Sequence, residues 1–136
     1  MRALADILDE YEFLDADERY RLLIELGREL DDMPQALKTD ATLVRGCSAS
    51  VWVYPTEQDG RLHFLADSNA AITKGIVALI LTAVQDRPAA EVAELDVHKA
   101  LEPFELRKHL STNRTQSVPN MIALVKSTAE RFAAAA

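Results

Sequence analysis

The segment Gly75-Ile76-Val77-Ala78-Leu79-Ile80-Leu81-Thr82-Ala83-Val84 constrains this chain more than any other. It is the longest apolar run, yet a membrane-spanning helix needs about 20 such residues. From Asn69 onward, Ile72, Ile76, Leu79, Ile80 and Ala83 fall on one helical face. Val77, Leu81 and Val84 carry apolar surface around the others. A helix this apolar must be buried on most sides, so the rest of the chain has to fold around it. Asp67 or Ser68 is placed to cap it. Gly75 predicts a close neighbour there, because an idle helical glycine costs about 1 kcal/mol against alanine.

The covering elements are legible in outline. Leu4, Ile7, Leu8 and Tyr11 have helical spacing over residues 4–13. A second helix opens after Asp15, with Glu18 three positions on as a capping box. Its stripe is Tyr20, Leu23, Gly27 and Leu30, widened by Leu22 and Leu26, and Pro34 is expected to end it. Ser50 to Tyr54 and Arg61 to Ala66 are rich in β-branched and aromatic residues and read as strands. Pro55 to Gly60 reads as the turn of an antiparallel hairpin, with an Asp-Gly signal. Leu43-Val44-Arg45 is the candidate third strand. Pro88 to Glu94 reads as a short helix, and His98 to Leu110 as a helical region broken near Pro103. A last helix starts at Pro119, with Met121, Leu124, Val125, Thr128 and Phe132 inward. Ala133 to Ala136 is expected to fray. The expected fold class is α+β: a small antiparallel sheet of about three strands packed against helices.

Length and charge narrow the function classes. The 136 residues suit one domain spanning 1–136. The net charge is −7, from 15 basic and 22 acidic residues, with no basic run. Phosphate contacts supply most of the affinity for nucleic acid, so a nucleic-acid partner is not expected. The N-terminus turns acidic at once and lacks a long apolar stretch, unlike a signal peptide. A single cysteine leaves no intrachain disulfide. The expected location is the cytoplasm, with no membrane association.

Cys47 is the first candidate for chemistry. It lies in Arg45-Gly46-Cys47-Ser48, a small-residue loop before a strong strand. Loops placed by a rigid sheet carry reactive groups, and small neighbours leave the sulfur approachable. A cation such as Arg45 would raise the thiolate fraction. A lone cysteine is also commonly an inert small core residue, and spacing leaves both readings open. His63, His98 and His109 show no ligand spacing, and one cysteine builds no ordinary zinc site, so no metal is expected. His63 alternates with Leu62 and Phe64 and should face solvent. The glycines at 27, 46, 60 and 75 form no phosphate loop.

Several segments together resemble the SufE family. Glu18 to Gly27 resembles its early helix motif, and Val44-Arg45-Gly46-Cys47-Ser48-Ala49-Ser50-Val51-Trp52 its active-cysteine segment. Asp67 to Gly75 resembles its Ser-Asp-Ala-x-Ile-Val-Lys-Gly segment. Leu110 to Gln116 resembles the arginine motif near the last helix. The resemblance covers most of the chain and implies a sulfur acceptor rather than an enzyme with a free substrate. Cys47 would take a persulfide sulfur from a SufS-type or CsdA-type cysteine desulfurase, stimulate it, and deliver sulfur toward iron–sulfur cluster assembly, for example to a SufBCD scaffold. Pyridoxal phosphate would belong to the desulfurase, with no cofactor on this chain. Arg45, Gly46, Ser48 and Arg114 would face the partner, and the cysteine would be sheltered until the partner binds. The expected assembly is a monomer or weak homodimer. Asn69, Ser117 and Ser48 depart from the family pattern, where aspartate, glycine and a glutamine-like residue are usual. Two other readings are an IscU-like scaffold, against which the lone cysteine argues, and a non-catalytic interaction module with Cys47 in its core.

Overall fold

The computed structural model describes residues 2–135. In chain order the elements are α1 (Leu4–Glu12), α2 (Ala16–Arg28), β1 (Val51–Gln58), β2 (Arg61–Ser68) and α3 (Ala71–Val84). Then come β3 (Arg87–Pro88), α4 (Ala89–Glu94), α5 (Val97–Leu101), α6 (Leu106–His109), α7 (Thr112–Thr115) and α8 (Val118–Ala135). The class is α+β, with one antiparallel sheet in the order β1-β2-β3. Met1 and Ala136, the ends of the stretches read above as non-signal and frayed, lie outside the described residues.

The apolar helix α3 is the centre. Ile76, Leu79 and Val84 are fully buried, and Ile72, Val77, Ile80, Leu81 and Ala83 nearly so. Its partner is α2, which the capping box starts: Glu18 N–H donates to Asp15 Oδ1 at 2.9 Å, and Asp15 N–H to Glu18 Oε1 at 3.1 Å. The helices meet backbone to backbone. A Cβ on Gly75 would stand 2.0 Å from the carbonyl oxygen of Leu23, and one on Gly27 would stand 2.8 Å from Gly75 N. The close approach that Gly75 predicts is therefore real. Leu22, Leu23, Leu26 and Leu30 are buried, whereas Tyr20 is 41% exposed and lies off the stripe. The helix ends at Arg28, well before Pro34, so proline does not terminate it.

The hairpin differs from its sequence reading in length. Both strands are eight residues long, and Gln58 pairs with Arg61. Only Asp59 and Gly60 turn, with φ of 55° and 77°. Two left-handed residues in a two-residue turn match the right-handed strand twist. Pro55 sits inside β1 opposite Phe64. That is tolerated because β1 is an edge strand, where a missing N–H need not break a ladder bond. The third strand is β3, not Leu43-Val44-Arg45. Leu43 forms only an isolated bridge to Trp52. A two-residue strand carries no periodicity, so β3 has no sequence signature.

Two further expectations need correction. Asp67 and Ser68 do not cap α3; its N-cap is Ala70, without a side-chain bond. Asp67 pairs instead with Lys38 at 2.5 Å and Lys74 at 3.2 Å. Along α8, Met121, Val125 and Thr128 are buried as expected, but Ile122 and Ala129 join them while Leu124 and Phe132 are half-buried. The break near Pro103 is present as a 3-10 turn over Glu102–Phe104. Among the described residues, no helix is long and apolar enough to cross a membrane.

Candidate functional site

The cysteine loop is pinched off at its base. Val44 is buried, and its N–H donates to the Val51 carbonyl at 2.8 Å. Residues 45–50 leave the sheet there and return. Gly46 makes the turn, at φ 82° in the left-handed region. A Cβ at Gly46 would also press on the end of the Asn120 side chain, which can move aside, so it is the positive φ that calls for glycine. Cys47 follows, half-buried against the core, while Arg45, Gly46 and Ser48 are exposed.

Polar contacts strap this loop to the junction of α7 and α8. Ser48 Oγ donates to the Asn113 carbonyl at 2.8 Å. Asn120 Nδ2 donates to the Arg45 carbonyl at 3.2 Å. Between them in the chain lies Ser117, buried just before α8. The far end is held by the hairpin: Ser50 N–H donates to Asn69 Oδ1 at 3.0 Å, and Ser68 Oγ to the Ser50 carbonyl at 2.7 Å. Of the positions that depart from the family pattern, Asn69 and Ser48 are thus bonded within or to the cysteine loop.

Burial raises the Cys47 pKa above its ordinary value, and the polar Ser117 side chain opposes this without cancelling it. At neutral pH the thiol is therefore held mostly protonated. The expectation that Arg45 raises the thiolate fraction is not met. Arg45 is exposed, and desolvation rather than a cation governs the sulfur. The open approach expected from small neighbours is likewise half closed, because α7 and α8 lie over one side of the loop.

Arg114 is exposed on α7, one position from the carbonyl that holds Ser48. It thus joins Arg45, Gly46, Cys47 and Ser48 at one place in the fold, although 67 positions of chain separate Arg114 from Cys47. Beside the loop lies a cleft of about 440 Å³ lined by Leu43, Val44, Arg45, Gly46, Asn120, Ala123 and Leu124. Leu43 is 37% exposed at its rim. This is an apolar-walled surface next to the Cys47 loop.

Sequence reasoning missed Asn113 and Asn120. His63 is not simply solvent-facing: Nε2 lies 2.7 Å from Asp31 Oδ2 and Nδ1 lies 2.8 Å from Asp86 Oδ1. Among the described residues, no group of three or more His, Cys, Asp or Glu side chains is placed to hold a metal ion.

Known proteins with similar sequence and structure identify the family. Residues 5–129 match the family model SufE, described as an Fe-S metabolism associated domain. The chain is 35% identical to an uncharacterised SufE-like protein of Rhizobium meliloti (strain 1021), covering 96% of each. It is 36% identical to the sulfur acceptor protein CsdE of Escherichia coli (strain K12), over 75% of this chain and 70% of that one. A solution structure of a hypothetical protein from Thermus thermophilus superposes with a TM-score of 0.77, covering 96% of each chain at 14% identity; that likeness concerns the fold alone. With the matched domain spanning nearly the whole sequence and Cys47 inside it, this chain belongs to the SufE family.

Proposed function

We propose that this protein is a sulfur acceptor and carrier that receives a persulfide sulfur from a cysteine desulfurase on Cys47 and passes it on. The observation that carries this reading is the placement of the only cysteine. Cys47 stands on a glycine-turned loop, outside the ladder and at the edge of the core, within a SufE domain.

The chemistry needs one thiolate. Cys47 Sγ attacks the outer sulfur of the desulfurase persulfide. A new S–S bond forms, the old one breaks, and its electron pair leaves with the desulfurase cysteine as a thiolate. No oxidant is consumed. Pyridoxal phosphate works on the desulfurase, where it releases sulfur from free cysteine. With no second cysteine in this chain, the product cannot close as an internal disulfide, which suits hand-over to an iron–sulfur scaffold such as SufBCD. A SufS-type or CsdA-type enzyme fits the role of donor.

The half-buried, protonated thiol suits a resting state. Water-borne oxidants meet a sulfur that is shielded and weakly nucleophilic. Engagement of the exposed residues Arg45, Ser48 and Arg114 would compete with the straps to Asn113 and Asn120 and free the loop.

The test is intact-protein mass spectrometry after incubation with desulfurase, pyridoxal phosphate and free cysteine, without reductant. A gain of one sulfur, reversed by reductant and absent in Cys47→Ser, is expected. Cys47→Ser should also abolish stimulation of the desulfurase while keeping the fold. Full stimulation by that variant would sink the reading. An IscU-like scaffold would instead show visible absorbance after anaerobic reconstitution.

A further inference from the structure

Residues 107–114 form an arm on the surface, running from α6 through α7. Its flanks, Leu106 and Thr115, are buried, but no side chain between them is, and only His109 and Leu110 are half-buried. The arm's backbone bonds are local, such as Leu110 N–H to the Leu106 carbonyl and Arg114 N–H to the Ser111 carbonyl. Among the described residues, two hydrogen bonds tie the arm to parts of the chain beyond 105–116. One is the strap from Ser48 Oγ to the Asn113 carbonyl. The other lies toward the arm's opposite end, where Arg19 Nη1 stands 2.7 Å from His109 Nε2. A segment this lightly buried opens readily unless such ties hold it.

Arg19 is well placed to hold it. Its Nε donates to the Tyr11 carbonyl at 2.9 Å, and its guanidinium carbon lies 4.5 Å from the centre of the Tyr11 ring. Tyr11 is itself fixed: it is 1% exposed, and its hydroxyl donates to the Phe104 carbonyl at 2.7 Å. The His109 ring meets the Tyr11 ring edge-on, with centroids 6.2 Å apart. A guanidinium only donates, so His109 Nε2 is the acceptor and the ring carries its proton on Nδ1. The planar fork of an arginine serves such separate acceptors from one fixed seat.

We infer that His109, clasped by Arg19, is a positioning residue for sulfur transfer: it holds in register the arm that presents Arg114 and supplies the Asn113 carbonyl to the cysteine loop. The inference rests on the sulfur-acceptor reading and adds a residue to it. The two ties have different fates when a desulfurase engages the loop. The strap is bonded to the loop itself and is lost as the loop leaves. The clasp touches no loop residue. It therefore keeps Arg114, five positions further on, in place for the partner. Without the clasp the arm would have to be ordered on binding, and ordering a segment at that moment weakens affinity. The sulfur chemistry itself is untouched, so loss of His109 weakens engagement and leaves the transfer step intact.

The test compares the full chain as wild type, His109→Ala and His109→Gln. His109→Ala leaves Arg19 its bond to the Tyr11 carbonyl, so the helical frame is kept. In the free protein, hydrogen exchange of the amides over 110–114 should quicken about three- to tenfold in His109→Ala, with α2 and α3 unchanged. Stimulation of a cysteine desulfurase is then titrated against each protein. The half-saturating concentration should rise about three- to tenfold in His109→Ala, with the rate at saturation within about twofold of wild type. His109→Gln, whose Oε1 accepts from Arg19, should restore both the exchange and the half-saturation. Wild-type exchange over 110–114 in His109→Ala would overturn the inference. So would quickened exchange at an unmoved half-saturation, which would make the clasp merely structural, or a lowered saturating rate alone. Sulfur loading followed by intact mass separates the two proposals. Wild type that gains no sulfur removes the acceptor reading and the role of His109 in transfer, while exchange still decides whether the clasp holds the arm. Wild type that gains sulfur, beside a His109→Ala variant of unmoved half-saturation, keeps the acceptor reading and removes this inference.

Discussion

The crossing of α2 and α3 and the seat of the cysteine loop are both places where distant segments meet, but they are held by different physics. At the crossing, Gly75 and Gly27 allow backbone to touch backbone, and a Cβ on Gly75 would fall 2.0 Å from the Leu23 carbonyl oxygen. Close packing of that kind does not yield by small steps. At the loop, Ser48 Oγ and Asn120 Nδ2 supply single hydrogen bonds to the Asn113 and Arg45 carbonyls. Each such bond has a net worth of about 1 kcal/mol, because water competes for the same groups. The first contact fixes a frame; the second seats a loop through bonds for which water competes.

The largest test of that contrast is Gly75→Ala. Alanine gains about 1 kcal/mol of helix propensity, but the added methyl must push α2 off α3. Overpacking of this kind costs about 1–3 kcal/mol and at times more. We expect a net loss of about 2 kcal/mol in urea unfolding, visible as a lower midpoint at unchanged slope. Stability equal to or above wild type would show that the crossing gives way, and the frame would lose its claim to rigidity.

Next in size are Ser48→Ala and Asn120→Ala. Global stability should drop by less than about 1 kcal/mol in each, since both groups are exposed. Loop opening should rise instead. Alkylation of Cys47 should quicken about two- to tenfold at every pH, including the alkaline plateau. Unchanged rates in the Ser48→Ala, Asn120→Ala double variant would mean that something other than these bonds seats the loop.

The same contrast explains what can be read from the sequence. The frame is legible because its signals are local and repeated. Ile72, Ile76, Leu79 and Ile80 announce α3, Asp15 with Glu18 opens α2, and Asp59-Gly60 closes the hairpin. Gly75 even announces a close contact, although not with which helix. Pro55 reads wrongly as turn because its tolerance depends on β1 being an edge, which is a property of the sheet order. Asp67 reads wrongly as a cap because its partners Lys38 and Lys74 come together only in the fold. At the site, Gly46 and Cys47 are legible as an adjacent pair. The straps from Asn113 and Asn120 are not, since the spacing of polar residues 65 to 75 positions away encodes no contact. Burial of the sulfur inverts the expectation drawn from Arg45, because desolvation is invisible in a local window.

The smallest expected effect tests whether a polar clasp on the frame behaves differently from one on the loop. His63 on β2 lies between Asp31, which follows α2, and Asp86, at the turn after α3. Partial burial works to lower its pKa, but the bonds to Asp86 and Asp31 outweigh that and raise it. A raised histidine contributes stability that is full below the unfolded value, near pH 6.5, and is lost as pH rises through the folded value. Its side chain is 31% exposed and both carboxylates are more so, which limits the effect to under about 1 kcal/mol. Unfolding free energy measured at pH 6 and pH 9 should therefore fall slightly more in wild type than in His63→Gln. Alkylation of Cys47 in His63→Gln should follow the wild-type pH profile, since the clasp spans frame elements and touches no residue of the cysteine loop. A loop rate that moved with His63 would mean that frame and loop open together, and the division between a fixed scaffold and a liftable sulfur site would fail.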